Sequence, residues 1–312
     1  MAGTVASPSI DIMMPYYGDV ALMQESVRSV LTQTDPDWHL TVVDDGEAAG
    51  VPEWFAALGD ERVTYLRNPV NLGVSGNFQK CVDLATRDRM VIVGCDDLLL
   101  PNYVATVRAL AAAHPGVGLI QPGVQVIDGA GEPVSTLADS IKWRLYAPKP
   151  IVRGQGPVLI GGQELALNLL RGNWLYFPSL CWRTDAIAAV GFRKDLKVIQ
   201  DLALIIELVE RGEQLLADST VCFKYRRHAA SESSQQALDG DRFDEARAFF
   251  HETAGRLEAR GWAEAARAAR RHRSARLHAL TLVPTALRKG RADAAMRLVR
   301  YGASPRSGTA GH

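Results

Sequence analysis

The chain has 312 residues, 47% of them hydrophobic and 22% charged, and its 35 Lys and Arg balance 35 Asp and Glu. That length and apolar content support one or two globular domains, and a net charge of zero gives no reason to expect nucleic acid as a partner. The balance is uneven, because residues 241–312 hold fifteen basic against seven acidic side chains, a basic module on an acidic body.

In chain order, short apolar runs (Ile10 to Met14, Leu40 to Val43, Val63 to Leu66, Met90 to Val93) alternate with segments of helical spacing. Leu22, Val27, Val30 and Leu31 share one face over Val20 to Leu31, and Phe78, Val82 and Ala85 share one over Val74 to Ala85. Strand, helix, strand, helix predicts an α/β fold with a mostly parallel sheet covered by helices on both faces. Right-handed crossovers then bring the strand C-terminal ends to one rim, where open α/β sheets bind ligands. Pro15 and Tyr17, Asp44 and Asp45, Asn71, and Asp96 and Asp97 all fall there.

After Pro101 the pattern predicts a helix over Tyr103 to His114, a strand around Val117 to Val126, and a long loop from Asp128 to Gly156. A helix at Gln163 to Leu170, a strand near Phe177 to Trp182, a helix beginning at Asp201 and a strand near Leu215 to Tyr225 follow. From about Leu238 the pattern is helical almost to the end. The division expected is residues 1–237 as one unit, in two halves, 1–101 and 102–237. Residues 238–312 form a basic helical extension.

The segment VIVGCDDLLLP sets two adjacent carboxylates just beyond an apolar strand. Buried and unpaired they would cost several kcal/mol, and a divalent cation with a taste for carboxylate and diphosphate oxygens resolves that cost. Read alone, the pair is more often a cap for the helix after Pro101 beside a solvent-facing acid. The run LTVVDDGE ends a strand in the same way; its acids can accept from a base N–H or a ribose hydroxyl, and Asp-Asp-Gly is also good turn chemistry.

IDIMMPYYGD, SVRSVLTQTDPDWHLTVVDDG, NPVNLGVSGNFQKCVDLA and VGCDDLLLP stand in the order and spacing of family 2 glycosyltransferases, and the chain resembles that family over roughly residues 9 to 235. The resemblance implies the GT-A fold, a Rossmann-like mostly parallel sheet, and inverting transfer from a nucleotide-sugar. It places Pro15, Tyr17 and Asp45 around base and ribose, with Asp44 and Asn71 beside them. Asp96 would face the ribose or sugar, and Asp97 would bind Mn²⁺ or Mg²⁺. Two positions depart from the family pattern: Gly94 stands where many members carry a first Asp, and Gly18 where many carry Asn.

The run FRKDLKVIQDLALIIELVERG resembles the family's acceptor-side pattern and makes Asp201 the general base, a role required because an acceptor hydroxyl is a poor nucleophile. Asp is also an ordinary helix N-cap. FKYRRHAASESS resembles the family's Y-R-x-H segment, so His228 would ligate the metal, and Arg226 or Arg227 would neutralise phosphate. In GNWLYFPSLCWRTDAI, Trp174 and Tyr176 offer faces for stacking an acceptor sugar, or core packing.

The donor expected is a UDP-sugar, with GDP- and dTDP-sugars as alternatives, and the acceptor a glycan or lipid-linked saccharide. Leu277, Leu280, Leu282, Val283 and Leu287 among many arginines suit an anionic membrane surface or a helical cap on the body or on a second subunit. Cys81, Cys95, Cys181 and Cys222 form no Cys-x-x-Cys pair, and neither a signal peptide nor a spanning run is apparent, so a cytoplasmic enzyme with at most peripheral membrane contact is expected. A nucleotidyltransferase is the competing enzyme class, but PYYGDVALM lacks the basic residue of its Gly-rich loop; a non-catalytic sugar-binding protein is the other alternative.

Overall fold

The structure, a computed structural model, describes residues 9–134, 144–227 and 241–303. Strands β1 (Ile10–Tyr16), β2 (Trp38–Asp44), β3 (Val63–Arg67) and β4 (Arg89–Ile92) pair in parallel in the order β3-β2-β1-β4. Between them run α1 (Val20–Leu31), α2 (Val51–Leu58) and α3 (Gly73–Leu84). Helix α1 spans the segment expected from its spacing, although its buried stripe is Met23, Ser26, Val27 and Val30. Asp19 starts it, accepting from the amides of Ala21 and Leu22 at 2.8 and 3.0 Å.

The chain continues through β5 (Leu98–Leu99), α4 (Tyr103–Ala113), β6 (Leu119–Ile127), α5 (Lys149–Val152), β7 (Val158–Gly161), α6 (Gly162–Arg171), β8 (Cys181–Arg183), α7 (Thr184–Ala188), α8 (Gln200–Glu210) and β9 (Gln214–Arg226). These strands add antiparallel neighbours to the expected mostly parallel sheet. Strand β8 lies between β4 and β6 antiparallel to both, β9 runs parallel to β6, and β5 and β7 are antiparallel to β9. An apolar run carries no direction; the connection decides it, and β6 does not land beside β4 but leaves a slot that β8 enters from the other end. The strand expected from Phe177 is a 3₁₀ turn over Phe177–Ser179, because Pro178 has no N–H for a ladder.

Alternation along the parallel strands divides the core. Met13, Val43, Met90 and Ile92 join Cys81 and Val82 of α3 on one face. Ile12, Met14, Leu40, Val42 and Val91 join Val27 and Val30 of α1 and Val104 and Val107 of α4 on the other. The C-terminal segment forms α9 (Asp241–Ala259), α10 (Ala263–Arg271), α11 (Arg273–Arg288) and α12 (Ala292–Ala303). Phe249, Phe250, Leu257, Ala265 and Ala269 belong to the first core cluster, so α9 and α10 pack on the body. Phe243, Ala279, Ala286, Leu298 and Tyr301 make a separate cluster.

Candidate active site

The parallel register brings Tyr16, Asp44, Arg67 and Ile92 to one rim. Beyond β4 the chain turns sharply, with Asp97 N–H donating to the Gly94 carbonyl at 3.1 Å. Helix α1 clamps this turn. Ser26 Oγ donates to the Gly94 carbonyl at 3.3 Å, Ser29 Oγ accepts from Leu99 N–H at 3.1 Å, and Gln33 donates to the Leu100 carbonyl at 2.8 Å while accepting from Val104 N–H at 2.9 Å. Thr34 N–H and Oγ1 both donate to the Pro101 carbonyl. Ser26 and Ser29 share one face of α1 at i and i+3, and Gln33 follows just past its C-cap, so the end of this helix holds the acidic turn. These residues were absent from the expected site, yet polar residues at helical spacing on an otherwise apolar face were the signal.

Both carboxylates of the turn crowd Gly94: a Cβ there would lie 2.5 Å from Asp97 Oδ2 and 3.0 Å from Asp96 Oδ1. Asp97 is buried, its Oδ1 accepting from Arg226 N–H at 2.8 Å. Burial first, and then the neighbouring Asp96, push its carboxyl well above the usual carboxylate range, against the pull of Arg226. A cation that takes carboxylate oxygens together with diphosphate oxygens fits this pair, because it relieves both causes. Among the described residues no group of three or more His, Cys, Asp and Glu could hold a metal ion.

Arg226, expected to meet phosphate, is buried and engaged elsewhere. Its Nε donates to the Asp96 carbonyl at 2.7 Å, Nη1 to the Gly129 carbonyl at 3.1 Å, and Nη2 to Glu25 Oε2 at 2.8 Å. It fastens the acidic turn to α1 and to the end of β6. Its guanidinium is thus engaged by protein groups.

Asp44 and Asp45 are likewise engaged. Asp44 Oδ2 accepts from Tyr65 Oη at 2.5 Å and from Arg67 Nη2 at 2.8 Å, and Oδ1 accepts from Gly46 N–H at 2.9 Å. Asp45 Oδ1 accepts from Asn68 Nδ2 at 2.7 Å, and Oδ2 from Gly73 N–H at 2.9 Å, so it caps α3 from outside the helix. Asn71 donates to the Asp45 carbonyl at 2.9 Å, and Lys80 to Asn68 Oδ1 at 2.6 Å. Pro15 sits beside Val43 in the β1–β2 register, and Tyr17 is 69% exposed with its ring beside Gly46. The Tyr17 carbonyl meets Cys95 Sγ at 3.9 Å, which joins the ends of β1 and β4. Gly18, where Asn is common, has φ +123, a conformation that favours glycine.

Near the end of β9 the Tyr225 phenol is raised to about 12, by burial first and then by Asp97, with Asp96 and Asp201 adding to the rise and Arg227 opposing it. One phenol thus feels both the acidic turn and the first turn of α8. The Tyr176 ring centroid lies 5.2 Å from that of Tyr225, and Tyr176 N–H donates to Gln121 Oε1 at 3.0 Å. Trp174 takes the core reading and not the stacking one: it is buried in the main core, with Nε1 donating to Asn168 Oδ1 at 2.5 Å, so its faces pack against protein. His228 lies outside the described residues.

The model for "Glycosyl transferase family 2" matches residues 11–165. An uncharacterized protein of Mycobacterium tuberculosis is 28% identical over 250 residues, covering 75% of this chain and 71% of that protein. A PGL/p-HBAD biosynthesis glycosyltransferase of M. tuberculosis is 31% identical over 115 residues, which is 36% of this chain and 43% of the relative. Among solved structures, residues 1–349 of S. aureus TarS in complex with UDP-GlcNAc share the fold at a TM-score of 0.62 and 12% identity, over 95% of this chain and 91% of that one.

Proposed function

Given that the chain belongs to glycosyl transferase family 2 and is a glycosyltransferase, we propose that it transfers a sugar from a nucleoside-diphosphate sugar to an acceptor hydroxyl, with inversion and with Mn²⁺ or Mg²⁺. The observation that carries this reading is the Gly94–Asp97 turn, which sets a buried, charge-stressed carboxylate beside a second one at the C-terminal rim of a parallel sheet. When bound, the cation neutralises charge on the departing diphosphate.

Pro15 and Tyr17 border the base and ribose. Asp44, Asp45 and Asn71 fix the loops that receive them, because their polar groups already hold backbone and side chains. Arg227, exposed and 5.9 Å over the Tyr225 ring, takes the phosphate-neutralising role in place of Arg226. His228 follows it as a further metal ligand. Asp201 removes the acceptor proton as the new C–O bond forms, and attack from the face opposite the diphosphate inverts the anomeric carbon. Tyr176 borders the acceptor.

Uridine is the favoured base. The complexes of TarS with UDP-GlcNAc and with UDP support it through shared fold. A glycan or lipid-linked acceptor is supported by the mycobacterial relative named for PGL/p-HBAD biosynthesis. A thermal-shift panel of UDP, GDP, dTDP and CDP, with and without Mn²⁺, tests the donor site. Stabilisation by UDP that grows with Mn²⁺ and is lost in Asp97→Ala supports it, and stabilisation by none of the four overturns it.

The C-terminal helices supply membrane contact in this reading. No described helix is long and apolar enough to cross a membrane. Leu277 and Leu287 on α11 and Met296 on α12 are nevertheless 65%, 57% and 57% exposed, among exposed Arg273, Arg288, Lys289, Arg297 and Arg300. Apolar side chains ringed by arginine complement an anionic lipid surface. Sedimentation with phosphatidylglycerol vesicles but not phosphatidylcholine vesicles is the expected result; self-association without vesicle binding would assign the face to a second copy of the chain.

A further inference from the structure

Helix α8, which carries Asp201, has no side-chain cap of its own: its N-cap position is Ile199. The cap comes instead from α9, more than forty positions along the chain. Glu245 Oε2 accepts from Lys197 N–H at 2.9 Å, and its Oε1 accepts from Val198 N–H at 2.9 Å and Ile199 N–H at 3.0 Å. At the other end of α8, Arg256 of α9 pairs with Glu210, its Nε 3.1 Å from Oε2. The same eleven-residue interval separates Glu245 from Arg256 and Ile199 from Glu210, so the two contacts match the length of α8 at one helical rise per residue.

An anion at the N-terminus and a cation at the C-terminus also complement the helix dipole. Between them Phe249, Phe250 and Ala254 of α9 share a buried cluster with Leu202, Ile205, Ile206 and Val209 of α8. The segment leading into α8 is held on its other side too. Arg193 binds Glu252 of α9 at 2.8 and 3.0 Å, and Ser75 Oγ of α3 donates to the Leu196 carbonyl at 3.3 Å.

We infer that α9 is a splint for the catalytic base, with Glu245 as the positioning residue that fixes the first turn of α8 and so the place of Asp201 against the donor rim. The C-terminal extension then completes the active site as well as extending it. This rests on the reading of Asp201 as the base.

The carboxylate geometry orders the variants. Alanine removes both carboxylate oxygens and with them all three hydrogen bonds. Glutamine keeps one oxygen for Val198 and Ile199 but turns an N–H₂ toward the Lys197 N–H, so it retains part of the cap. In the full-length protein, Glu245→Ala should lower kcat about tenfold or more, Glu245→Gln by an intermediate factor, and the KM for the nucleotide-sugar less than twofold in both. Hydrogen exchange should quicken at the amides of Lys197, Val198 and Ile199 while β1 to β4 keep their protection, which separates local release from global unfolding.

An unchanged kcat in Glu245→Ala, or exchange that quickens equally through β1 to β4, overturns the inference. Asp201→Asn is the separate control: if it retains transfer, the base assignment fails, whereas loss of transfer in Asp201→Asn with full kcat in Glu245→Ala removes the splint alone.

Discussion

Arg226 Nη2 donates to Glu25 Oε2 at 2.8 Å across 201 positions of sequence, and this pair ties the last residue of β9 to the helix that clamps the acidic turn. Glu25 is half exposed while Arg226 is buried, so the pair matters more for where the guanidinium sits than for its Coulomb energy. Arg226→Ala leaves the Asp96 and Gly129 carbonyls without their donor and should destabilise by roughly 2–4 kcal/mol. Glu25→Gln keeps an acceptor and should cost under about 1 kcal/mol. Equilibrium denaturation measures both. UDP affinity adds a discriminating readout: a direct phosphate role for Arg226 requires Arg226→Lys to weaken UDP far more than it lowers stability, whereas a positioning role makes the two losses run together.

Gly94 meets the two carboxylates of the site, and a Cβ at that position lies 2.5 Å from Asp97 Oδ2. The obstructing atom is the end of a side chain and can move, so the fold survives Gly94→Ala at a cost of about 1–3 kcal/mol. The atom that must move is the one proposed to face the metal. Activity should therefore fall at least about tenfold in Gly94→Ala, a loss of about 1.4 kcal/mol or more in transition-state stabilisation. Gly94→Asp, which installs the acid common in relatives, should fall likewise. Gain of Mn²⁺-dependent activity in Gly94→Asp would show that the turn can open to receive a third acid.

Burial and the neighbouring Asp96 raise the Asp97 carboxyl in the folded chain. In the unfolded chain the same group ionises near pH 4, so above that pH the folded state binds the extra proton. The contribution to stability is complete below about pH 4 and is lost as pH rises toward the raised value. The metal-free protein should accordingly lose Tm as pH is raised from 5 to 8 in ~0.5 steps. Asp97→Asn should flatten that slope, raise the Tm at the alkaline end by about 2–4 °C, and abolish transfer. Stabilisation by Mn²⁺ should run the opposite way, growing with pH, because the cation needs the ionised carboxylate. Parallel Tm curves for the two proteins would exclude this source.

Asp44 lies opposite Arg67 in the β2–β3 register and is fully buried, whereas Arg67 is about one-third exposed. Removing Arg67 leaves a buried carboxylate with only the Tyr65 hydroxyl and the Gly46 amide. Arg67→Ala should cost roughly 2–3 kcal/mol, below the full value for a buried pair because water already reaches the arginine. The cost should shrink in Arg67→Ala with Asp44→Asn, a double-mutant cycle that isolates the pair.

The sequence made the donor half legible nearly residue by residue. Strands β1 to β4 are apolar runs bounded by turns, α1 has a 3.6-residue stripe with an Asp before it, and four ordered motifs fix the rim. Other features depend on partners far along the chain. Nothing in FKYRR reveals that Arg226 would find Glu25 and the Asp96 carbonyl, so its likeness to the family's Y-R-x-H segment made it a phosphate ligand. Glu245 is one acid in a charged helix until the fold sets it against the three amides before Asp201. Strand β8 reads like its neighbours, and only the chain path makes it antiparallel.

Trp174 and Tyr176 share one short run and one expectation, and their surroundings separate them. Trp174 is 3% exposed in the main cluster, so Trp174→Ala should act through the core, costing about 3–5 kcal/mol. Tyr176 is partly exposed, its ring tilted at 55° against that of Tyr225, and fixed through Gln121, whose Nε2 donates to Ser179 Oγ at 2.7 Å. The Tyr176 backbone is held by Gln121 and its ring lies beside Tyr225, so removing it should alter the proposed acceptor wall more than the fold. Tyr176→Ala should raise the acceptor KM about tenfold, equivalent to about 1.4 kcal/mol of lost contact, with UDP affinity and Tm little changed. Tyr176→Phe keeps the aromatic face and should retain most of the affinity, since a sugar's C–H face meets the ring and not the hydroxyl. If Tyr176→Ala instead weakens UDP and leaves the acceptor KM alone, the Tyr176–Tyr225 pair belongs to the donor, and the acceptor must approach Asp201 from the side of α8 away from these rings.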